Sequence, residues 1–400
     1  MHMLHLVGQV LQGASQIRTI AFDNATQHGL IKAMLLGQKT GLSPDELRGL
    51  PFWSRISYVP FPESALPRFP FNKPSVDGEI LFGLNGPAHL QKNMAGQCRS
   101  PSRTIAFGQF FTDFSGCLDL CMPPAAFQSY DGQSDAEAAS FFNAFHYVAD
   151  LVTDVREVRV PWSLVGAVLV NLTSCLTTSS VFHPGLTPAQ RLENAISSFV
   201  LFDLGAMEAE RTCTKRGLPK GSCWIHRTTQ GNMQQLAGMI AVACTSLSPQ
   251  TPWFPWRSSE LPLEQWFGYL RNQFSSSQMT VRDFLHASCR KMRQTCCRLS
   301  KDPPQRLPQE PAAAVTDAEF TDIANRALWS ALELMAACTG DAAEAVLKRY
   351  VAYSAGLVEL AEDFEIFEEG GALTGEHDEL EDFMEDEDQA PLVHKACAEV

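Results

Sequence analysis

Hydrophobic and polar positions change rhythm several times along the chain. In the first hundred residues, short apolar runs compatible with strands alternate with short helical stretches. Residues 17–22 form a β-compatible run that ends at Asp23; a helical stretch through Ile31, Leu35 and Leu36 follows and stops at Gly37. After a proline-rich excursion, 53–61 and 79–84 read as two more strands. The second runs through Gly86-Pro87 into a helical His89-Leu90-Gln91-Lys92. The order strand, helix, strand, strand, helix predicts an α/β layer over residues 1–109.

From residue 110 to 257 the period becomes helical, with 138–152, 162–176, 188–207 and 233–247 as the clearest segments, and an all-α insertion is expected there. A loop at 211–227 interrupts it, carrying five basic residues and the breakers Gly217, Pro219 and Gly221. No residue between Arg159 and Arg191 is charged, but Asn171, Thr173, Ser174, Thr177, Thr178, Ser179 and Ser180 break up the apolar run. A buried helix fits that pattern better than a membrane span.

Two returning helices are predicted over 258–300. Pro262 opens the first, whose Leu263, Trp266, Phe267, Leu270 and Phe274 make one apolar stripe. The second runs from Thr280, with Asp283 in a near capping box, to about Cys297. Pro303, Pro304, Pro308 and Pro311 mark 301–315 as a linker. A helical hairpin is expected over 316–361: Thr316-Asp317-Ala318-Glu319 starts its first helix, and Gly340 and Asp341 turn the chain into its second. Residues 362–400 are acidic and weakly periodic, as in a disordered tail.

Charge is distributed unevenly. Acidic residues outnumber basic ones 45 to 31, but residues 359–388 hold fifteen carboxylates and no Lys or Arg, which leaves 30 against 31 elsewhere. The net charge of −14 therefore describes the tail and excludes no anionic partner for the body. With 45% apolar residues, the body can bury a sizeable core. Twelve cysteines at irregular spacings read as reduced thiols. The first basic residue is Arg18, so residues 1–13 lack the positive start of a secretory signal and an intracellular location is expected.

Candidate chemistry concentrates in three places. Glu264, Gly268 and Arg271 share one helix face off the apolar stripe, where a carboxylate, a bare backbone and an arginine could hold a metal beside a phosphate backbone. A plainer account is that Glu264 complements a helix N-terminus and Arg271 is solvated. Between 271 and 306 there are eight basic residues, including Arg271, Arg282, Arg290, Lys291, Arg293 and Arg298, against Asp283 and Asp302. With Lys215, Arg216 and Lys220 of the basic loop, they fit phosphate neutralisation or a solvated surface. Cys213, Cys223 and His226 could supply three zinc ligands, but no fourth is local. No Gly-rich phosphate loop, serine elbow or paired Cys-His nucleophile pattern is present.

Leu263-Glu264-Gln265-Trp266-Phe267-Gly268-Tyr269-Leu270-Arg271 resembles the segment around the last acidic residue of the P-element and THAP-domain class of eukaryotic DNA transposases, with the hAT class more distant. Phe22-Asp23-Asn24-Ala25 followed by a helix resembles the strand end that carries their second acid. Gly86-Pro87-Ala88-His89-Leu90-Gln91-Lys92-Asn93 is similar to their aspartate-proline-x-histidine-leucine-x-lysine-asparagine segment. The resemblance implies a partial RNase H-like layer interrupted by a helical insertion. It makes Asp23 and Glu264 vestigial catalytic and metal-ligand candidates, and Gly86, His89 and Lys92 motif positions. Gly86 stands where the family has aspartate, and the strand bearing the first acid would lie upstream of Met1. Mg2+ or Mn2+ is implied only with a complete acidic set.

These readings combine into an expectation of a truncated, transposase-derived, nuclear protein that associates with duplex DNA and lacks strand-transfer activity. The alternative is a non-enzymatic helical interaction module whose acidic tail binds a basic protein.

Overall fold

The computed structural model describes residues 19–22, 29–38, 43–100, 103–113, 176–177, 180–181, 183, 185–217, 223–246 and 313–363. Their elements run β1 (Thr19–Phe22), α1 (Gly29–Leu35), α2 (Pro44–Arg48), a 3-10 turn (Trp53–Arg55), β2 (Ser57–Pro60), β3 (Asn72–Val76), β4 (Glu79–Ile80), β5 (Phe82–Asn85), α3 (Pro87–Arg99), β6 (Thr104–Phe107) and β7 (Phe110–Asp113). Four long helices follow: α4 (Pro188–Arg216), α5 (Arg227–Ser246), α6 (Asp317–Thr339) and α7 (Ala343–Asp363). The chain mixes strands and helices, with helices dominant.

The strands form three small sheets: a parallel β1-β5 pair, an antiparallel β2-β3-β4 sheet and an antiparallel β6-β7 pair. Several expectations are corrected here. The strand expected at 53–61 opens instead as a 3-10 turn, and only Ser57–Pro60 is extended. The run at 79–84 divides at Leu81, whose N–H donates to the Pro74 carbonyl at 3.0 Å, so that β4 and β5 join different sheets. Residues 110–113 are a strand, not the start of a helical region, because Phe107-Gly108-Gln109-Phe110 closes a hairpin. Its Gly108 has φ 64°, and a Cβ there would meet the Cys338 carbonyl oxygen at 2.5 Å, so glycine is required on both counts. The β3-β4 turn uses Asp77 and Gly78 at φ 53° and 83°, the left-handed pair that a two-residue hairpin needs.

Local sequence sets the long helices. Thr187 and Gln190 form a reciprocal capping box at the start of α4, with Pro188 in its first turn and Gly217 left-handed at its end. Thr316 and Glu319 repeat the box at α6, which Gly340 ends in the same way. The helix α4 continues to Arg216, so the basic loop expected from 211 begins six residues later. Among the described residues, no helix is long and apolar enough to cross a membrane.

The core lies where α4 packs on α5 and α6, with β5 against α5 and β6 against α4. Between β2 and β3 the chain passes through Pro62, Pro67 and Pro70 as a strap without regular secondary structure. It lays Phe61, Phe69 and Phe71 on the helices: Phe61 stacks on Phe320 at 5.1 Å, and Phe69 and Phe71 meet Phe199 edge-on at 5.3 and 5.4 Å. Gly238 makes room for Phe71 and Gly205 for Trp224, where an added Cβ would lie 2.7 and 2.3 Å from the rings.

Two buried carboxylates on α4 bind the C-terminal hairpin to this core. Asp203 accepts from Arg68 Nε and Nη2 at 3.2 and 3.3 Å, from Gln234 Nε2 at 2.7 Å and from the Tyr350 hydroxyl at 3.1 Å. Glu208 accepts from Arg211 at 2.6 Å and from Arg349 Nε at 2.9 Å, while Arg349 also reaches Asp341 at 2.8 Å. Burial raises the Asp203 carboxyl above its ordinary range, and Arg68, Gln234 and Tyr350 only partly offset it.

A raised folded-state value means that folding favours the protonated form. The stabilisation from this group is complete below about pH 4 and is lost as pH rises through the folded-state value. In chemical denaturation from pH 4 to 8, the stability of wild type minus that of Asp203→Asn should therefore fall with rising pH. A difference that stays flat would show that Asp203 titrates alike in both states.

Candidate functional site

The parallel pair β1-β5 brings two sequence-selected segments to one edge. Phe22 stands opposite Asn85, so both strands end at the same level, 63 positions apart in the chain. Gly86 comes next on β5 and caps α3 at φ −61° and ψ 104°, with Pro87 in the first helical turn. Any residue adopts that conformation, so the backbone alone does not call for glycine at 86. Ligand sites in parallel sheets form at such strand ends, beside the helix N-termini that follow.

Behind the edge lies a buried polar cluster. Asn85 is fully buried; its Nδ2 donates to the Asn232 carbonyl at 3.0 Å, and its Oδ1 has no hydrogen-bond partner. Lys32 is only 1% exposed, and its Nζ donates to Asn232 Oδ1 at 2.6 Å. One residue of α5 thus serves both a strand end and a desolvated ammonium from α1. On α3, Lys92 is buried and His89 half-buried, one turn apart on neighbouring faces. Gln91 ties the same helix to Thr177 Oγ1 at 3.0 Å. The cluster offers amides and positive charge. Among the described residues, no group of three or more His, Cys, Asp and Glu side chains could hold a metal.

Of the residues selected from sequence, Asp23, Glu264, Arg271, Arg282, Arg290, Lys291, Arg293, Arg298 and Lys220 lie outside the described residues. Lys215 and Arg216 are exposed in the last turn of α4, where positive charge complements the helix C-terminus. Cys213 and Cys223 are joined as a disulfide, which corrects the expectation of reduced thiols for this pair and gives both sulfurs to each other instead of to zinc. His226 shapes the start of α5: its backbone N–H donates to Gln97 Oε1 at 2.8 Å and its Nδ1 accepts from Thr228 N at 3.3 Å.

Sequence reasoning missed Lys32, Asn85 and Asn232. Lys32 gave a usable signal, since it is the one charged residue in the apolar run Leu30-Ile31-Lys32-Ala33-Met34-Leu35-Leu36 and falls on its buried side. No family model, curated protein or solved structure matches the chain.

Asn232→Ala removes one acceptor that Lys32 meets in a dry environment, and should cost about 1–3 kcal/mol in chemical denaturation. Adding Lys32→Met should recover part of the loss, because the desolvated charge goes with it. Purely additive costs would mean that the two residues are not coupled.

Proposed function

We propose that this chain is a transposase-derived, DNA-associated protein without strand-transfer activity, built on a partial RNase H-like layer. The observation that carries the reading is the parallel register of β1 and β5, which aligns the strand leading to Asp23 with the strand leading to Gly86. The resemblance places Asp23 and Gly86 each at a strand end, and the two strands lie side by side in parallel. The helix that follows Gly86-Pro87 adds to the support.

The donor set does not fit a two-metal centre. Such a centre needs several carboxylates converging on ions about 4 Å apart. Asn85 and Gly86 supply no carboxylate at the described strand ends, and Asp23 and Glu264 alone hold a magnesium pair poorly. DNA contact in this reading is electrostatic and sequence-independent, through Lys215, Arg216 and Lys220 and the basic residues from Arg271 to Arg298. Nuclear location follows from the same reading. The acidic segment would compete with DNA for those cations.

Gly86→Asp tests the assignment of the strand ends. The backbone at 86 accepts aspartate. The variant should bind Mn2+ more tightly than wild type by calorimetry, and the gain should vanish when Asp23 or Glu264 is also changed to Ala. Unchanged Mn2+ affinity in a folded variant would sever residue 86 from any former metal site.

Removing the tail tests the DNA reading. Helix α7 continues to Asp363, so ending the chain there spares it while deleting twelve of the fifteen clustered carboxylates. The shortened protein should bind duplex DNA at least about threefold more tightly at low salt, with the advantage shrinking as salt rises. Absence of duplex binding by both forms would favour the protein-interaction module with an acidic recruiting tail.

A further inference from the structure

We propose that the Cys213–Cys223 disulfide is a reversible redox tether that controls how firmly the cationic end of α4 is held. The proposal concerns thiol chemistry and stands apart from the DNA reading.

The two ends of the tether are anchored differently. Cys213 is buried in the last turn of α4, but the residues after it, Thr214, Lys215, Arg216 and Gly217, are all exposed. Cys223 belongs to a segment fastened without help from the disulfide. Its carbonyl accepts from Ala106 N at 2.8 Å, the Trp224 carbonyl accepts from Arg103 Nη1 at 2.9 Å, and His226 N donates to Gln97 at 2.8 Å. The Trp224 ring stacks on Phe107 at 6.1 Å and closes over Gly205. The Cα atoms of the two cysteines lie 6.3 Å apart, a spacing that these contacts and the buried body of α4 maintain. With the bond open, the thiols remain neighbours, so closure is intramolecular and efficient.

Chain connectivity makes the bond matter. Cys213 and Cys223 are ten positions apart, and Lys215, Arg216 and Lys220 all lie between them. Closing the bond confines these three cations to one small covalent ring. Opening it removes the covalent link between the exposed last turn of α4 and the Trp224 segment, and helix ends are the first parts of a fold to open. Both sulfurs are buried, so exchange needs that last turn to unwind. The other described cysteines, Cys98, Cys244 and Cys338, form no disulfide and are buried. Burial pushes Cys244 and Cys338 up to about 12, which removes them as competing thiolates.

The co-reactant is a low-molecular-weight disulfide such as oxidised glutathione. One cysteine thiolate attacks a glutathione sulfur, the glutathione S–S bond breaks and one glutathione leaves. The second cysteine thiolate attacks the mixed disulfide, forms the Cys213–Cys223 bond and expels the second glutathione. Two electrons pass from the cysteine pair to the glutathione disulfide, and the two protons end on the two glutathione thiols. Excess reduced glutathione runs the sequence backwards.

The full-length chain can be equilibrated in buffers of graded reduced-to-oxidised glutathione ratio, then alkylated and mapped by mass spectrometry. Cys213 and Cys223 should convert together and reversibly, without loss of helical circular dichroism. Brief trypsin treatment should cut after Lys215, Arg216 or Lys220 at least about tenfold faster in the reduced protein. Halves nicked in the oxidised protein should stay linked until a reductant is added. The double variant Cys213→Ser, Cys223→Ser should cleave at the reduced rate in every buffer; if it fails to fold, the wild-type rates in the two extreme buffers decide the matter. Three outcomes would overturn the tether: a pair locked in one state across all buffers, equal cleavage rates in both states, or a reduced protein that retains zinc through these cysteines.

Discussion

A carboxylate that is 1% exposed cannot be left to itself, and at Asp203 that requirement organises much of the chain. Its donors come from the proline-rich strap, from α5 and from α7, at sequence separations of 135, 31 and 147. Satisfying one oxygen pair therefore draws four parts of the molecule together. Arg68 does so while lying 5.4 Å over the Phe199 ring, so the same guanidinium holds the strap to the carboxylate and to the aromatic core. On α7, the neighbours Arg349 and Tyr350 clasp the two α4 carboxylates, Glu208 and Asp203. A buried ion pair of this kind adds little compared with an apolar replacement, but losing one partner costs about 3–5 kcal/mol. Its effect is to fix which surfaces meet.

How well an element could be read from sequence depended on how local its cause was. The α6 helix is specified by Thr316 with Glu319 at one end and Gly340 at the other, all within or beside it, and its bounds were legible. The start of α4 was legible for the same reason, while its extension to Arg216 was obscured by polar residues on an exposed final turn. Strand β3 was hidden by Pro74, which argues against a strand by propensity and stands here opposite Tyr58 of β2. The Asp77-Gly78 turn carries its own local signal, a residue pair suited to left-handed backbone. The strap had no periodicity to detect, because it forms no regular secondary structure and its aromatics find partners more than a hundred residues away.

The candidate site divides along the same line. Gly86-Pro87 opening a helix was visible, since both residues act on their own neighbourhood. The cluster of Lys32, Asn85 and Asn232 was not, because its logic is a hydrogen-bond account closed across three elements and no asparagine announces a distant partner. The sequence groups Cys213 and Cys223 with His226 as possible zinc ligands, and only tertiary placement shows that the two sulfurs bond to each other.

The chemistry at the strand ends bears on stability as much as on function. Carboxylates crowded at one edge repel each other unless a cation or protons neutralise them, so a fold that keeps them depends on its ion. Here the described edge carries an amide and a glycine, with a lysine ammonium behind them hydrogen-bonded to a second amide. That arrangement supplies positive charge from within the chain. A single neutral amide, Asn232, binds both the strand end and the lysine.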